Sequence, residues 1–276
     1  MATQSDLSIP SNYKEATCTP KSIAMWQKLM EDKWAMMKEC KVFHLVPCPP
    51  DRNVVRSKWT YVHKFNEEGD ITKHKAQLVA QGFTQIPGLN FDNTYASVVH
   101  LESIRMSATT AANLGLCIWQ VDFVAAYLNA DNDFEVYMEK AEGFIAPGEE
   151  DKVLFANKVI YGMMNEGYNW EKELSMSYTG LGYYQSKADP CVCSHIDENR
   201  YTLTNTYMDD VFGILSTPKG EQKSKDELAG CYELKDLGEL KYIVGIQVQQ
   251  DEKTGAISLS QHAYLERTLC QDPKNH

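Results

Sequence analysis

Apolar residues recur between residues 21 and 40 at Ile23, Trp26, Leu29, Met30, Trp34 and Met37. That spacing is close to the helical repeat and predicts an amphipathic helix with Ser22 as its N-cap. Pro47, Pro49 and Pro50 then break the chain, and the pattern turns strand-like over 57–65 (SKWTYVHKF) and 74–83. The Asn66-Glu67-Glu68-Gly69-Asp70 stretch between them is turn chemistry, so the pair reads as a β-hairpin. An Ala-, Thr- and Ser-rich helix is expected over 101–114, followed by an apolar strand over 116–121 that ends on Asp122. A second strand–turn–strand is expected over 201–216, with Asp209-Asp210 near its turn, where an aspartate tolerates the positive φ of a tight turn. A third pair is expected at 241–249 and 256–259. Irregular alternation of helices and hairpins predicts an α+β fold built on an antiparallel sheet rather than a doubly wound parallel one.

Composition narrows the class. The chain has 276 residues, 43% apolar and 24% charged, room for one large domain or two ordinary ones and too apolar for a disordered or fibrous protein. It has no run of 18 uncharged apolar residues to cross a membrane. Residues 1–20 form a polar leader without the basic start and apolar run of a secretory signal, which points to an intracellular protein. The net charge of −11, from 27 Lys+Arg against 38 Asp+Glu, argues against a polyanion binder. The charge is uneven, however. Arg52, Arg56, Lys58, Lys64, Lys73 and Lys75 make a basic strip, and 122–200 is strongly acidic. This fits a protein that holds phosphates in one place and cations in another; an acidic solvated surface explains the charge equally well. The eight cysteines read as free, mostly buried thiols. Cys191-x-Cys193-x-His195 lacks the further ligands a zinc site needs.

The chemistry centres on three aspartates. Asp209 and Asp210 lie side by side between apolar strands, where each raises the other's pKa unless a cation intervenes; a solvated turn is the plainer meaning of such a pair. Asp122, ending another apolar strand, supplies a third carboxylate in the same setting. Three carboxylates at neighbouring strand ends form a hard oxygen site suited to Mg²⁺. Two such ions about 3.5–4 Å apart clamp the attacking and leaving oxygens of a phosphoryl transfer.

With these residues in view, the chain resembles the reverse transcriptase domain of copia-type LTR retrotransposons over roughly residues 15–264. The motifs that carry the resemblance stand here as SKWTYVHKFNEEGDITKHKAQLVAQGFTQIPGLNFDNTYASVV, SIR, QVDFVAAYLNADNDFEVYMEKAEGF, YG, LGYYQSKADPCV, YMDD and ELKDLGELKYIVGIQV. The resemblance implies a polymerase right hand, with fingers and palm interleaved over about 21–216 and a partial thumb starting over 217–270, all within a reverse transcriptase domain spanning 21–270. It implies an RNA-directed DNA polymerase using Mg²⁺, with Mn²⁺ as the alternative, and acting on primed RNA or DNA template and deoxynucleoside triphosphates in the cytoplasm or a virus-like particle. Asp122, Asp209 and Asp210 would be the catalytic metal ligands. Lys75, Gln77, Tyr127, Asn165 and Met208 would line the nucleotide, with Tyr127 as the gate that crowds a 2′-hydroxyl, and Tyr207 would meet the primer end.

The departures are as informative as the matches. The family's KARLVA is Lys75-Ala76-Gln77-Leu78-Val79-Ala80, so the base expected beside the triphosphate is neutral Gln77. The usual YGLKQAPRAW is Tyr161-Gly162-Met163-Met164-Asn165-Glu166-Gly167-Tyr168-Asn169-Trp170, and APVVR is Ala96-Ser97-Val98-Val99-His100. Three phosphate-side positive charges are therefore expected to be missing around an intact set of acids. The sequence leaves two main readings, a polymerase domain and a degenerate, truncated relic of one, with another palm-type nucleotidyl transferase or cyclase as a third. No RNase H domain is expected in the residues present.

Overall fold

A computed structural model describes residues 9–65, 70–198, 200–251, 253–262, 264–265 and 268. In chain order the elements are α1 (Tyr13–Ala16), α2 (Pro20–Glu39), β1 (Phe43–Pro47), β2 (Val54–Val55), β3 (Ser57–Phe65), β4 (Ile71–Ala80), α3 (Leu101–Leu114) and β5 (Cys117–Phe123). They continue with β6 (Tyr137–Met138), β7 (Lys152–Ala156), α4 (Glu166–Gly180), β8 (Tyr184–Gln185), β9 (Val192–Asp197), β10 (Arg200–Tyr207) and β11 (Asp210–Leu215). The last are α5 (Pro218–Ala229), β12 (Leu234–Glu239), β13 (Tyr242–Ile243), β14 (Ile246–Gln250) and β15 (Ile257–Ser260). The architecture is α+β, and among the described residues the named strands pair antiparallel except for the short parallel β2–β6 pair. The chain forms two compact units: residues up to Tyr95 with Tyr127–Trp170, and Ala96–Ala126 with the chain from Glu171 onward.

In the first unit α2 packs on the β3–β4 hairpin. Its buried Trp26, Met30, Trp34 and Met37 make one apolar stripe. Trp26 meets Tyr61 edge-on at 5.1 Å and stacks on His63 at 5.4 Å. The N-cap is Thr19 rather than Ser22: its hydroxyl accepts from the Ser22 amide at 3.2 Å. Pro20 explains the difference, since its fixed φ suits the first helical position and sets the cap one residue earlier. Ser22 instead donates its hydroxyl to the Ala16 carbonyl at 2.9 Å.

The second hairpin strand runs Ile71–Ala80, not over 74–83. It stops where two backbones come together, with the Ala80 amide donating to the Tyr161 carbonyl at 2.7 Å and that of Gly82 to Gly162 at 3.0 Å. A Cβ on Gly82 would stand 2.4 Å from the Gly162 oxygen, so only glycine admits this approach. Of the expected turn at 66–70, residues 66–69 lie outside the described residues, as do the first eight residues of the leader. A separate small sheet has the order β1-β7-β6-β2.

The second unit is a six-stranded sheet ordered β12-β5-β11-β10-β9-β8. Side chains alternate between its faces. On one face Ile118, Phe212, Ile214 and Leu203 join Ile104 and Ala111 of α3 in the core, and Ser107 of α3 exchanges hydrogen bonds with buried Asn205 at 2.9–3.1 Å. On the other, Lys225 of α5 reaches Asp236 of β12 at 2.8 Å and lies over the Trp119 ring. The β13-β14-β15 sheet adds Ile243 and Val248 to the α3 side, so the expected third pair is three strands.

Among the described residues the cysteines are free, but most are exposed (Cys18, Cys40, Cys48, Cys117 and Cys231); only Cys193 is buried. The expectation of mostly buried thiols is corrected. At Cys117 the reason is plain, since it starts β5 ahead of the strand's buried stretch. No helix among the described residues is long and apolar enough to cross a membrane.

Candidate active site

Strand register brings the acids together. In the β5–β11 pair Asp122 stands directly opposite Asp210 and Val121 opposite Val211. Opposed residues share a face and have Cα atoms about 4.5–5.5 Å apart. Asp209 precedes Asp210 in the two-residue turn closed by the Tyr207–Asp210 pair, and its carbonyl accepts from the Phe123 amide at 2.8 Å. The main chain therefore anchors all three acids to one end of the sheet. Asp122 and Asp210 lie on the α3 face, one strand repeat beyond Gln120 and Phe212. Gln120 donates Nε2 to Asp210 Oδ1 at 3.4 Å. On the far side of Asp122, β12 sets Lys235 in register, so the row across the sheet reads Lys235, Asp122, Asp210, Tyr207.

The backbones meet, but the carboxylates do not converge. Among the described residues no three His, Cys, Asp or Glu side chains come close enough to hold one ion. As a donor set, half-buried aspartates on one sheet end fit a hard divalent ion.

The turn corrects one expectation. The positive φ falls on Met208, at 58°, and not on an aspartate. Positive φ at only the first of two central residues is the type II′ pattern, which matches the twist of the flanking strands. Glycine is the usual occupant of that position. Here a half-exposed methionine takes it, leaving Asp209 placed to offer its carbonyl to Phe123.

The remaining candidates, apart from Tyr207 and Met208, belong to the first unit. Lys75 and Gln77 lie on the same face of β4; Lys75 is exposed, and Gln77 opposes Thr60. Lys75 places Nζ 6.0 Å from the centroid of the Tyr161 ring. Tyr127, in a 3-10 turn over Ala126–Asn129, is buried and packs edge-on against the same ring at 5.2 Å. Asn165 is 1% exposed and turned into an amide network, donating to Asn132 at 3.3 Å and Asn169 at 3.5 Å. Glu166, the acid new to its segment, accepts from the Gly162 amide at 2.7 Å at the start of α4. Burial raises its carboxyl, partly countered by that bond.

His100 sits at the N-terminal end of α3. Its amide donates to the buried Asp189 carboxylate at 2.9 Å, and its ring stands 3.9 Å from the same oxygen. Burial pushes the Asp189 carboxyl up, but bonds from Ser103, His100 and Cys191 outweigh it and hold it low. That carboxylate caps the start of α3, which no His100 side-chain bond does. Sequence reasoning missed the Tyr161 ring as a hub, Lys235 beside Asp122, and Lys33 of α2. Lys235 and Tyr161 carried a signal, their places in the quoted ELKDLGELKYIVGIQV and YG segments; Lys33 carried none.

The model for the family described as reverse transcriptase (RNA-dependent DNA polymerase) matches residues 40–272, and the chain belongs to that family. Its relatives include Pol polyproteins of copia-type retrotransposons. The Retrovirus-related Pol polyprotein from transposon TNT 1-94 of Nicotiana tabacum is 31% identical over 264 residues, covering 94% of this chain and 20% of that protein. That from transposon RE1 of Arabidopsis thaliana is 29% identical, covering 87% of this chain and 17% of its own length. The chain thus spans about a fifth of the curated relatives it matches. A foamy viral protease-reverse transcriptase solved with double-stranded DNA aligns at a TM-score of 0.43 and 11% identity, over 88% of this chain and 36% of that one, too distant to bear on the site.

Proposed function

We propose that this chain is an RNA-directed DNA polymerase domain that extends a primer 3′-hydroxyl with deoxynucleoside triphosphates on an RNA or DNA template. The observation that carries the reading is the Asp122–Asp210 register with Asp209 tied to Phe123, which gathers the three acids at one end of one sheet. Asp122, Asp209 and Asp210 would hold Mg²⁺, or Mn²⁺ in its place. The bound ion would lower the pKa of the primer hydroxyl and neutralise charge on the departing pyrophosphate. The chain's own residues do the rest. Tyr207, beside Asp210 in the sheet, would meet the primer end, and Met208, in the turn that follows, would line the nucleotide. Tyr127 supplies a fixed, buried ring as the gate against a 2′-hydroxyl. Lys75 offers a mobile ammonium to the triphosphate. In right-hand terms the first unit holds the fingers hairpin, the second the palm sheet, and the segment from 217 the start of a thumb. The reading places the protein in the cytoplasm or a virus-like particle.

The test is primer extension on poly-rA with Mg²⁺. Extension should vanish in Asp122→Asn and in Asp209→Asn; extension that survives both removes the mechanism. A second reading, a domain with feeble catalysis, draws support from Gln77. A neutral side chain there forfeits a charge-assisted phosphate contact of about 1.5–3 kcal/mol. If Gln77→Arg raises incorporation tenfold or more, the weakness lies at the triphosphate; an unchanged rate places it elsewhere.

A further inference from the structure

A second lysine converges on the ring that Lys75 approaches. Lys33, on α2, places Nζ 5.4 Å from the centroid of Tyr161, and Lys75, on β4, places its own 6.0 Å from the same centroid. Tyr161 packs in turn against Tyr127. Two ammonium groups from separate elements and the candidate sugar gate therefore share one aromatic hub.

The environment of Lys33 is unusual for a lysine. Burial foremost, then the charge of Lys75, hold its ammonium down to about 8, and the Cys40 thiol is the one group acting the other way. No carboxylate figures among these influences. A cation over an aromatic face gains about 0.5–1 kcal/mol at an exposed site and about 2 when desolvated, which does little to offset burial beside a like charge. An anion beside two neighbouring ammonium groups attracts both. A lysine that only covers apolar surface would send its head to solvent instead.

Gln77 makes the arrangement intelligible. It lies two residues from Lys75 on the same face of β4, where a base would double the positive charge; in this chain the second charge comes from the helix. We propose that Lys33 is the second phosphate-binding cation of this chain: with Lys75 it cradles, at the Tyr161 ring, the polyphosphate of an incoming nucleoside triphosphate. The proposal rests on the reading of Lys75 as a nucleotide contact, and it adds a residue from α2 whose charge supplies what Gln77 lacks.

The experiment uses the whole chain and inorganic tripolyphosphate as probe. Lysines are acetylated competitively at pH 8 and counted by mass spectrometry, with and without 1 mM probe, a concentration on the order of a weak anion site's Kd. Acetylation of Lys33 should slow at least fivefold with the probe, while exposed Lys28 on the same helix keeps its rate. By calorimetry, Lys33→Met should weaken tripolyphosphate binding at least fivefold and Lys33→Arg should retain it within twofold. In primer extension, Lys33→Met should raise KM for the nucleotide and leave kcat within twofold. An unprotected Lys33, or a Lys33→Met chain that binds the probe like the parent, overturns the proposal even if the polymerase extends primers normally. Protection of Lys33 in a chain that never extends a primer sinks the polymerase reading and leaves the anion cradle standing.

Discussion

The two units hold their candidate chemistry by different means. In the second, Asp122 and Asp210 are opposed because β5 and β11 are hydrogen-bonded neighbours, and Asp209 is held by its carbonyl. Any sequence that pairs those strands in that register puts those positions together. In the first, Lys75, Tyr127 and Lys33 meet through side-chain packing on Tyr161, so each substitution can loosen the group or rebuild it from another direction. Two of the three segments that depart from the family in charge, at Gln77 and around Asn165, belong to this packed unit, and the third, ending at His100, lies in the second. The comparison teaches that backbone register protects a site against drift, whereas a packed cluster tolerates exchange of its members.

The sharpest way to break the comparison is to delete one group of each kind. Asp210→Asn should reduce Mg²⁺-dependent primer extension by about a thousandfold or more, on the order of 4 kcal/mol in the barrier. Lys75→Met should cost only about tenfold to a hundredfold, the worth of one charge-assisted contact. Steady-state kinetics on the same template checks both. Equal losses would mean the lysine is as indispensable as the acids, and the contrast drawn here would collapse.

Next in size is a break in the register itself. Gly213 lies in β11 opposite Trp119, and a Cβ there would stand 2.5 Å from two carbons of the indole. Trp119 is fully buried and cannot swing aside. Gly213→Ala should therefore destabilise the second unit by about 2–3 kcal/mol, the cost of overpacking a closed core. Urea denaturation measures it, and a chain as stable as the parent would mean that Trp119 has room the geometry denies.

How much of this was legible in the sequence follows the same division. Helix α2, the Ser57–Phe65 strand, α3 and the β10–β11 hairpin carry apolar repeats of the right period, and the acids were legible because apolar strands end on them. The β1-β7-β6-β2 sheet left little trace, since β2 and β6 are two residues long and show no period. Helix α5 was missed because it buries Ser224 and Lys225 beside Leu228, a polar face satisfied by Glu221 and Asp236 rather than an apolar stripe. Lys33 was silent because spacing assigns it to an amphipathic helix and says nothing about which ring its head reaches.

A smaller effect sharpens the packed side of the comparison. His63 and His74 oppose each other in the hairpin with Nδ1 atoms 2.7 Å apart, beneath Trp26. Burial, then the neighbouring His74, lowers the pKa of His63. A base whose folded pKa lies below its unfolded value near 6.5 binds protons more readily when unfolded. Its stability contribution is thus whole above about pH 6.5 and is lost as pH falls below that value. Thermal melts should show Tm dropping between pH 7 and pH 5.5, and His63→Phe should flatten that drop while keeping the stack on Trp26. An equally steep acid limb in the variant would assign the titration to another group.

The smallest effect concerns the turn beside the acids. A left-handed backbone costs a residue with a Cβ about 1–2 kcal/mol, and glycine escapes that penalty but gives back about 0.5–1 through its freer unfolded chain. Met208, at φ 58° and 48% exposed, buries little side chain to offset the strain. Met208→Gly should therefore raise stability slightly, by less than about 1 kcal/mol. Strain retained where relief is one substitution away points to use of the side chain at the site, so the same variant should extend primers more slowly. A variant that is more stable and equally active would show the methionine to be incidental, and would leave strand register and the Asp209 carbonyl bond as what positions the three acids.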